Sequence, residues 1–277
     1  MIFVTGVTGQ VGSECADILG GRAVAPSETE LDLTDRAAVA DFFAANPDIE
    51  AVIHCAAYTA VDRAEDDRER CFAVNETATA NIAAEAAKIG AKMLYVSTDY
   101  VFDGKKNSPY KTDDSTNPQS VYGESKLAGE IAVKNAYKDN SNRFFIVRTQ
   151  WVYGNGNNFV KTMLRLFAEK DAINVVSDQF GCPTYARDLA ATLCEMIGTE
   201  KFGVYHASGA GECSWYDFAK QILQLSDEKC LINAVFTKDY PTKAVRPAYS
   251  VLSKESLKIA GFKALPDWKT SLKAFLS

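Results

Sequence analysis

Short apolar runs alternate with longer amphipathic stretches through the first half of the chain. The apolar runs are rich in β-branched and aromatic residues, and they predict strands at 1–5, 22–26, 51–54, 91–97 and 143–148. Between them, apolar residues at helical spacing predict helices at 10–19, 36–45, roughly 67–89 and 118–137. Strands that alternate with helices indicate a parallel sheet with helices on both faces. We therefore predict an α/β fold built on a doubly wound parallel sheet.

The regular alternation weakens after about residue 150. A loop rich in Gly and Asn, 154–158, precedes predicted helices near 158–169, 186–197, 214–224 and 267–275. We predict a dinucleotide-binding domain over 1–150 and a smaller mixed α/β lobe over 151–277 that mainly binds substrate and is partly interleaved with the first domain. The ligand site is expected in the cleft between them.

A glycine loop directly follows the first predicted strand. Gly6, Gly9 and Gly12, with Gln10 and Val11 between the last two, lead from that strand into the first predicted helix. Backbone amides at such a helix N-terminus suit a pyrophosphate, and glycines let a dinucleotide approach the backbone closely. The loop predicts a Rossmann-type domain. The alternative is a glycine-containing turn that binds no ligand.

The sequence leaves open which nicotinamide dinucleotide would bind. Near the end of the second strand, where NAD enzymes place an acidic residue and NADP enzymes a basic one, stands Ala25-Pro26-Ser27. Ser27 could hydrogen-bond either form, so both NADPH and NADH remain candidates. Asp32 could lie against the adenine edge or could cap the next helix, although Asp35 is the better candidate for the cap.

Tyr122 and Lys126 stand four residues apart in a predicted helix, so both project from one face. A neighbouring ammonium favours the phenolate, and we therefore expect Lys126 to lower the pKa of Tyr122. Such pairs are common on helix surfaces, and their meaning depends on the surroundings. Thr98, at the carboxyl end of the fourth predicted strand, could donate a hydrogen bond to a substrate oxygen, whereas Ser97 should face the other way.

In order and spacing, several motifs resemble those of the extended short-chain dehydrogenases. They are the loop Gly6–Gly12, Asn75, the strand end Ser97-Thr98-Asp99, and the pair Tyr122 and Lys126. Within that group the segments 55–65, 97–104, 148–154 and 178–184 resemble the dTDP-4-dehydrorhamnose reductase family, and the likeness covers nearly the whole chain.

The resemblance implies roles for individual residues. Thr98, Tyr122 and Lys126 would be catalytic, with Tyr122 as proton donor and Lys126 also holding the nicotinamide ribose. Residues implied to contact the cofactor are Gly6, Gly9, Gln10, Val11, Gly12, Asp32, Leu33, Ala56, Ala57, Thr59, Tyr122 and Lys126. Residues implied to contact a dTDP-sugar are Thr98, Asp99, Tyr100, Trp151, Asn158 and Arg246. Trp151 could alternatively belong to the core of the second lobe.

The implied reaction is reduction of the C4 ketone of dTDP-4-dehydro-6-deoxy-L-mannose to dTDP-L-rhamnose by NADPH or NADH. Tyr100 stands where the related 4,6-dehydratases carry a Glu that helps eliminate water, which favours reduction over dehydration. The alternatives are another nucleotide-sugar 4-ketoreductase or epimerase, or a non-catalytic regulatory subunit of the methionine adenosyltransferase type.

The composition of the chain limits the kinds of partner that we expect. The 277 residues carry 30 basic and 36 acidic side chains, a net charge of −6, which argues against a nucleic-acid partner. No apolar run approaches the about 18 residues that span a bilayer, and no signal peptide is recognisable, so a cytoplasmic protein is expected. Seven cysteines without a CxxC spacing predict neither a disulfide framework nor a zinc site.

His54 and His206 lie in or beside apolar strands, and we interpret them as packed, hydrogen-bonded side chains rather than metal ligands. No metal-binding residue is assigned. Whether a Mg²⁺ ion sits at a subunit contact, and whether the protein is a monomer or a homodimer, the sequence leaves open, because acidic residues such as Glu14 and Asp188 have ordinary surface explanations.

Overall fold

The structure, a computed structural model, describes residues 1–139 and 142–277. Its strands are β1 (Ile2–Thr5), β2 (Ala23–Val24), β3 (Ala51–His54), β4 (Lys92–Thr98), β5 (Phe144–Thr149), β6 (Val152–Tyr153), β7 (Ala172–Val176), β8 (Phe180–Gly181), β9 (Thr184–Tyr185), β10 (Gly203–His206), β11 (Cys213–Ser214) and β12 (Leu231–Val235). Its helices are α1 (Gln10–Leu19), α2 (Arg36–Ala45), α3 (Val61–Ala64), α4 (Arg68–Phe72), α5 (Ala78–Lys88), α6 (Val121–Tyr137), α7 (Phe159–Glu169), α8 (Ala186–Ile197), α9 (Trp215–Gln224), α10 (Glu255–Ile259) and α11 (Trp268–Leu276).

One parallel sheet organises the first half of the chain. Six strands follow one another in the order β10-β5-β4-β3-β1-β2, and every neighbouring pair is parallel. The chain passes from β1 to β2 on one side and returns to β3 on the other, so the strand order reverses beside β1. Open sheets bind ligands at such a reversal, outside the carboxyl ends of the strands. The predicted fold class is confirmed.

Alternate residues of each strand supply two separate cores. On β1, Phe3 packs with α2 and α5 on one face, and Val4 packs with α1 and α8 on the other. This is the alternation that a doubly covered strand requires, and it explains why β1 and β3 are buried along their whole length. Asp35 caps α2 as predicted, because its side chain accepts the backbone N–H groups of Ala37 and Ala38.

Two elements differ from the predictions for this sheet. The single helix predicted over 67–89 is α4 and α5 joined by a π-helical turn, Ala73–Thr77. Strand β10, which ends at His206, was not among the predicted strand ranges, since it stands far in the sequence from the other strands of the sheet. It pairs with β5 at the sheet edge, so residues of the second half complete the sheet of the first.

The second half adds a lobe with its own core. Val160 of α7, Phe218 of α9 and Trp268 of α11 lie in a third buried cluster. By contrast, α8 packs against α1 on the large sheet. The helices predicted near 158–169, 186–197, 214–224 and 267–275 all form, with bounds that shift by at most one residue. Within the two described ranges, no helix is long and apolar enough to cross a membrane.

Candidate active site

A cavity of about 1140 Å³ opens at the carboxyl ends of β1, β3, β4 and β5. Its wall is formed by the glycine loop, by the segments that follow β2 and β3, and by the strand end of β4. The cavity continues to the first residues after β5 and to the loop before α7. Its volume exceeds that of a typical drug-sized pocket, so the cavity has room for two ligands.

Almost all residues singled out in the sequence line this cavity. They are Gly6, Gly9, Gln10, Val11, Gly12, Asp32, Leu33, Ala56, Ala57, Thr59, Thr98, Asp99, Tyr100, Tyr122, Lys126, Trp151 and Asn158. Arg246 is not among the lining residues. Its Nη2 donates to Asp62 Oδ2 at 2.6 Å, although its charge still acts on the phenol of Tyr100.

The glycine loop brings the backbone close to the cavity. Gly6 has φ of +69°, which favours glycine, and its carbonyl accepts the Gly9 N–H at 2.9 Å. No side chain caps α1 at Gly9, so the first N–H groups of this helix remain available to a ligand in the cavity. This arrangement fits a pyrophosphate.

We expect Gly12→Ala to weaken dinucleotide binding by about tenfold or more and to lower the free energy of unfolding by about 1–3 kcal/mol. A Cβ on Gly12 would stand 2.3 Å from the Gly6 carbonyl oxygen, so the loop would have to move. Calorimetric titration and urea unfolding would measure both effects. Gly21→Ala is the matched control, because a Cβ there meets nothing within 4 Å. Unchanged binding by Gly12→Ala would contradict the prediction.

The side chain of Asp32 is held by its own turn at the far end of the cavity. Its Oδ1 accepts both the backbone N–H and the hydroxyl of Thr34, at 2.9 and 2.7 Å. These bonds hold the pKa of the exposed Asp32 carboxyl below its ordinary value. Asn81 of α5 fixes the same turn, because its Nδ2 donates to the carbonyls of Leu33 and Thr34.

Tyr122 and Lys126 project from the first turns of α6 into the middle of the cavity. The Lys126 side chain is almost completely buried, and its Nζ lies 4.0 Å from the centre of the Tyr95 ring. Burial lowers the pKa of Lys126 to about 7, although the nearby Glu130 carboxylate opposes the shift. Near neutral pH this lysine is therefore charged only part of the time.

The pKa of Tyr122 differs from the expectation. Burial raises it above the ordinary value, and hydrogen bonding with Thr98 offsets only part of that shift. The groups that act most strongly on this pKa do not include Lys126, so the expected lowering is not found. A phenol with a raised pKa keeps its proton at neutral pH, which suits a proton donor better than a base.

Thr98 and Asp99 form a hydrogen-bonded pair beside Tyr122. The Thr98 hydroxyl donates to Asp99 Oδ1 at 3.0 Å and accepts the Tyr100 N–H at 3.2 Å. Burial raises the pKa of Asp99 to about 6, while hydrogen bonds with Ser250 and Thr98 oppose the shift. Because Thr98 has a single proton, donation to a substrate oxygen requires its hydroxyl to turn away from Asp99.

Trp151 belongs both to the cavity wall and to the core of the second lobe. Its indole stacks on Trp215, with 3.5 Å between ring centres and 10° between planes. Its φ of +48° is strained for a bulky residue, which indicates that the surrounding packing fixes the orientation of the ring. Trp151 therefore packs against the core of the second lobe and also lines the cavity, and its contact with a sugar stays a prediction.

Asn158 lines the cavity, but its side-chain amide forms hydrogen bonds within the loop that precedes α7. Its Nδ2 donates to the carbonyls of Gly154 and Gly156, and its Oδ1 caps α7 by accepting the Lys161 N–H. Ser97 also lines the cavity, against the expectation that it faces the other way, but its hydroxyl donates to buried Glu130 Oε1 at 2.6 Å.

Sequence reasoning missed a buried ion pair that joins α6 to β5, formed by Glu130 and Arg148. Glu130 follows Lys126 by one helical turn, and both of its oxygens accept from Arg148 of β5 at 2.8 Å. Both side chains are buried, at 0% and 3% exposure. The signal was a carboxylate four residues after Lys126 together with an arginine in an apolar strand. His54 and His206 are buried and hydrogen-bonded, to Thr5 and Thr79 and to the Tyr110 carbonyl.

Comparisons with known proteins agree on one family. A model of the RmlD substrate binding domain matches residues 1–277. The dTDP-4-dehydrorhamnose reductase of Mycolicibacterium smegmatis is 41% identical over 98% of this chain and 83% of its own length. The chain belongs to the RmlD substrate binding domain family. The resemblance drawn from the sequence motifs is thereby confirmed.

Solved structures of two dTDP-4-dehydrorhamnose reductases share the fold of this family member. The protein from Clostridium acetobutylicum superposes with a TM-score of 0.95 at 40% identity, covering 99% of this chain and 98% of that one. The protein from Bacillus anthracis, solved in complex with NADP, gives 0.94 at 38% identity, with 99% and 97% covered.

The structure offers no support for a bound metal in this RmlD family chain. Across residues 1–139 and 142–277, no group of three or more His, Cys, Asp and Glu side chains could hold an ion.

Proposed function

We propose that this protein reduces the C4 ketone of dTDP-4-dehydro-6-deoxy-L-mannose to dTDP-L-rhamnose, using NADPH or NADH. The observation that carries the proposal is that Thr98, Tyr122 and Lys126 meet in one cavity whose other end is a glycine loop at a helix N-terminus. The relatives named dTDP-4-dehydrorhamnose reductase, matched over 83% and 98% of their length, support this substrate.

A bound nicotinamide dinucleotide supplies the hydride that forms the new C4–H bond. The Tyr122 hydroxyl protonates the O4 oxygen as negative charge develops there, so an O–H bond forms as the phenol loses its proton. The raised pKa of Tyr122 keeps that proton in place until the alkoxide forms. When its hydroxyl turns from Asp99, Thr98 stabilises the same oxygen.

Lys126 has two proposed roles. Its Nζ binds the nicotinamide ribose, and its partial charge stabilises the phenolate left after proton transfer. Tyr100 is the residue that favours reduction over dehydration. Burial raises its pKa to about 12, with Arg246 opposing the shift, so Tyr100 does not replace the carboxylate that a dehydratase uses.

The binding roles of the remaining residues are part of this proposal. The cofactor lies along the glycine loop, Asp32, Leu33 and the segment Ala56–Thr59, and the sugar lies between Tyr100 and Trp151. Arg246 acts on the substrate through its effect on Tyr100, and Asn158 shapes the loop before α7. We also propose that 1–150 mainly binds the cofactor and 151–277 mainly binds the sugar nucleotide.

An optical assay tests the reaction. Purified protein is mixed with dTDP-4-dehydro-6-deoxy-L-mannose and either NADPH or NADH, and the absorbance of the reduced nicotinamide is followed. We expect this absorbance to fall and chromatography to yield a product that matches dTDP-L-rhamnose. A fall that yields a different stereoisomer would indicate another 4-ketoreductase. No fall with either dinucleotide would favour a non-catalytic regulatory subunit.

A further inference from the structure

The segment after β2 forms one end of the cavity. We call residues 25–35 the β2 loop. Pro26, Ser27, Glu28 and Thr29 of this loop line the cavity, as does its later part from Leu31 to Thr34. In Rossmann-type domains this position meets the adenosine ribose, and it distinguishes a 2′-hydroxyl from a 2′-phosphate.

Ser27 is already engaged within the β2 loop. Its hydroxyl donates to Glu30 Oε2 at 2.8 Å and lies 3.0 Å from the Thr29 hydroxyl. Its backbone N–H donates to the same Glu30 oxygen at 2.8 Å. These bonds from Ser27 lower the pKa of the exposed Glu30 carboxyl, which keeps it anionic. The loop therefore already binds one anion, namely its own Glu30.

The β2 loop carries only negative formal charge. Glu28, Glu30, Asp32 and Asp35 are its charged residues, and neither Lys nor Arg occurs between positions 25 and 35. Among the described residues that line the cavity, the basic ones are Lys126, which is buried on α6, and Arg70 on α4. A 2′-phosphate at the β2 loop would bring further negative charge beside Glu28 and Glu30.

We propose that the β2 loop selects a ribose 2′-hydroxyl over a 2′-phosphate, so that this protein prefers NADH, with Glu28, which lines the cavity, as the specificity-determining residue. This inference rests on the proposed function, since it assigns a nicotinamide dinucleotide to the cavity. It concerns the loop of this chain, and the relative from Bacillus anthracis was solved with the phosphorylated form. A carboxylate can accept a hydrogen bond from a ribose hydroxyl, whereas it repels a phosphate.

Equilibrium binding without any sugar tests the proposal. Dissociation constants are measured by calorimetry for NADH and NADPH, and for the fragments 5′-ADP and 2′,5′-ADP. We expect NADH to bind about tenfold more tightly than NADPH, and the difference to shrink as salt is added. The fragments should show the same order, because the difference lies at the adenosine end.

Glu28→Lys is the decisive variant. Glu28 is exposed, so the substitution leaves packing intact, and it should tighten NADPH binding by about tenfold while NADH binding changes less than about twofold. Asp41→Lys, on the exposed surface of α2, makes the same charge change away from the cavity and should alter neither constant.

Three outcomes would overturn the proposal without touching the proposed function. They are equal or tighter binding of NADPH by the unaltered protein, an unchanged preference in Glu28→Lys, and a selective loss of NADPH binding in Arg70→Ala. The last would place the 2′-phosphate on α4. If neither dinucleotide binds, the proposed function itself fails, so the two failures are distinguishable.

Discussion

Tyr122→Phe is expected to lower kcat by about 10²–10⁴-fold while the dissociation constant of the dinucleotide changes less than about twofold. The ring remains and can still pack edge-on against Tyr100, whose centre lies 5.4 Å away. Only the proton that the developing alkoxide needs is removed. Initial rates and calorimetric titration of the same preparation would measure the two quantities.

Tyr240→Phe is the control for the loss of a phenol, since Tyr240 is exposed and does not line the cavity. Its kcat should match that of the unaltered protein. If Tyr122→Phe kept more than about a tenth of the activity, another group would have to supply the proton. Asp99, with its pKa near 6 and its place beside Thr98, would be the next residue to test.

Glu130→Gln is expected to lower the free energy of unfolding by about 3–5 kcal/mol, because it leaves the buried guanidinium of Arg148 without its counter-charge. Both carboxylate oxygens bind Arg148, and one also accepts the Ser97 hydroxyl, so a neutral amide cannot replace the three bonds. Urea unfolding followed by circular dichroism would measure the loss.

Glu124→Gln supplies the comparison on the same helix. Glu124 pairs with Arg68 at 2.7 Å, but both side chains are about half exposed, and the loss should stay below about 1 kcal/mol. The double variant Glu130→Leu with Arg148→Met should recover much of the stability, because it removes both buried charges together. A loss below about 1 kcal/mol in Glu130→Gln would contradict this account.

The elements that meet at the cavity were largely predictable from local patterns. The glycine loop, the strand end at Thr98, and the spacing of Tyr122 and Lys126 each leave a signal within a few residues, and together they placed the site. For side chains that are distant in sequence, the signal did not show which residues would pair. Glu130 has the spacing of an ordinary helix-surface residue, and only the fold shows that it faces Arg148.

The prediction that Lys126 lowers the pKa of Tyr122 was wrong for a related reason. The sequence shows that an ammonium stands one turn away, which favours a lowered pKa. It does not show that both groups are buried, and burial acts on the lysine and the phenol in opposite directions. The balance depends on how much water the cavity wall excludes, which is a property of the packing.

The three tryptophans of the chain, Trp151, Trp215 and Trp268, all follow residue 150. Indole emission therefore originates in the second half alone, whereas far-ultraviolet dichroism averages over the helices and strands of both halves. Because Trp151 stacks on Trp215 at the cavity wall, a ligand that contacts its ring changes the quenching of that emission. The protein thus carries a native optical probe on the side where the sugar nucleotide is proposed to bind.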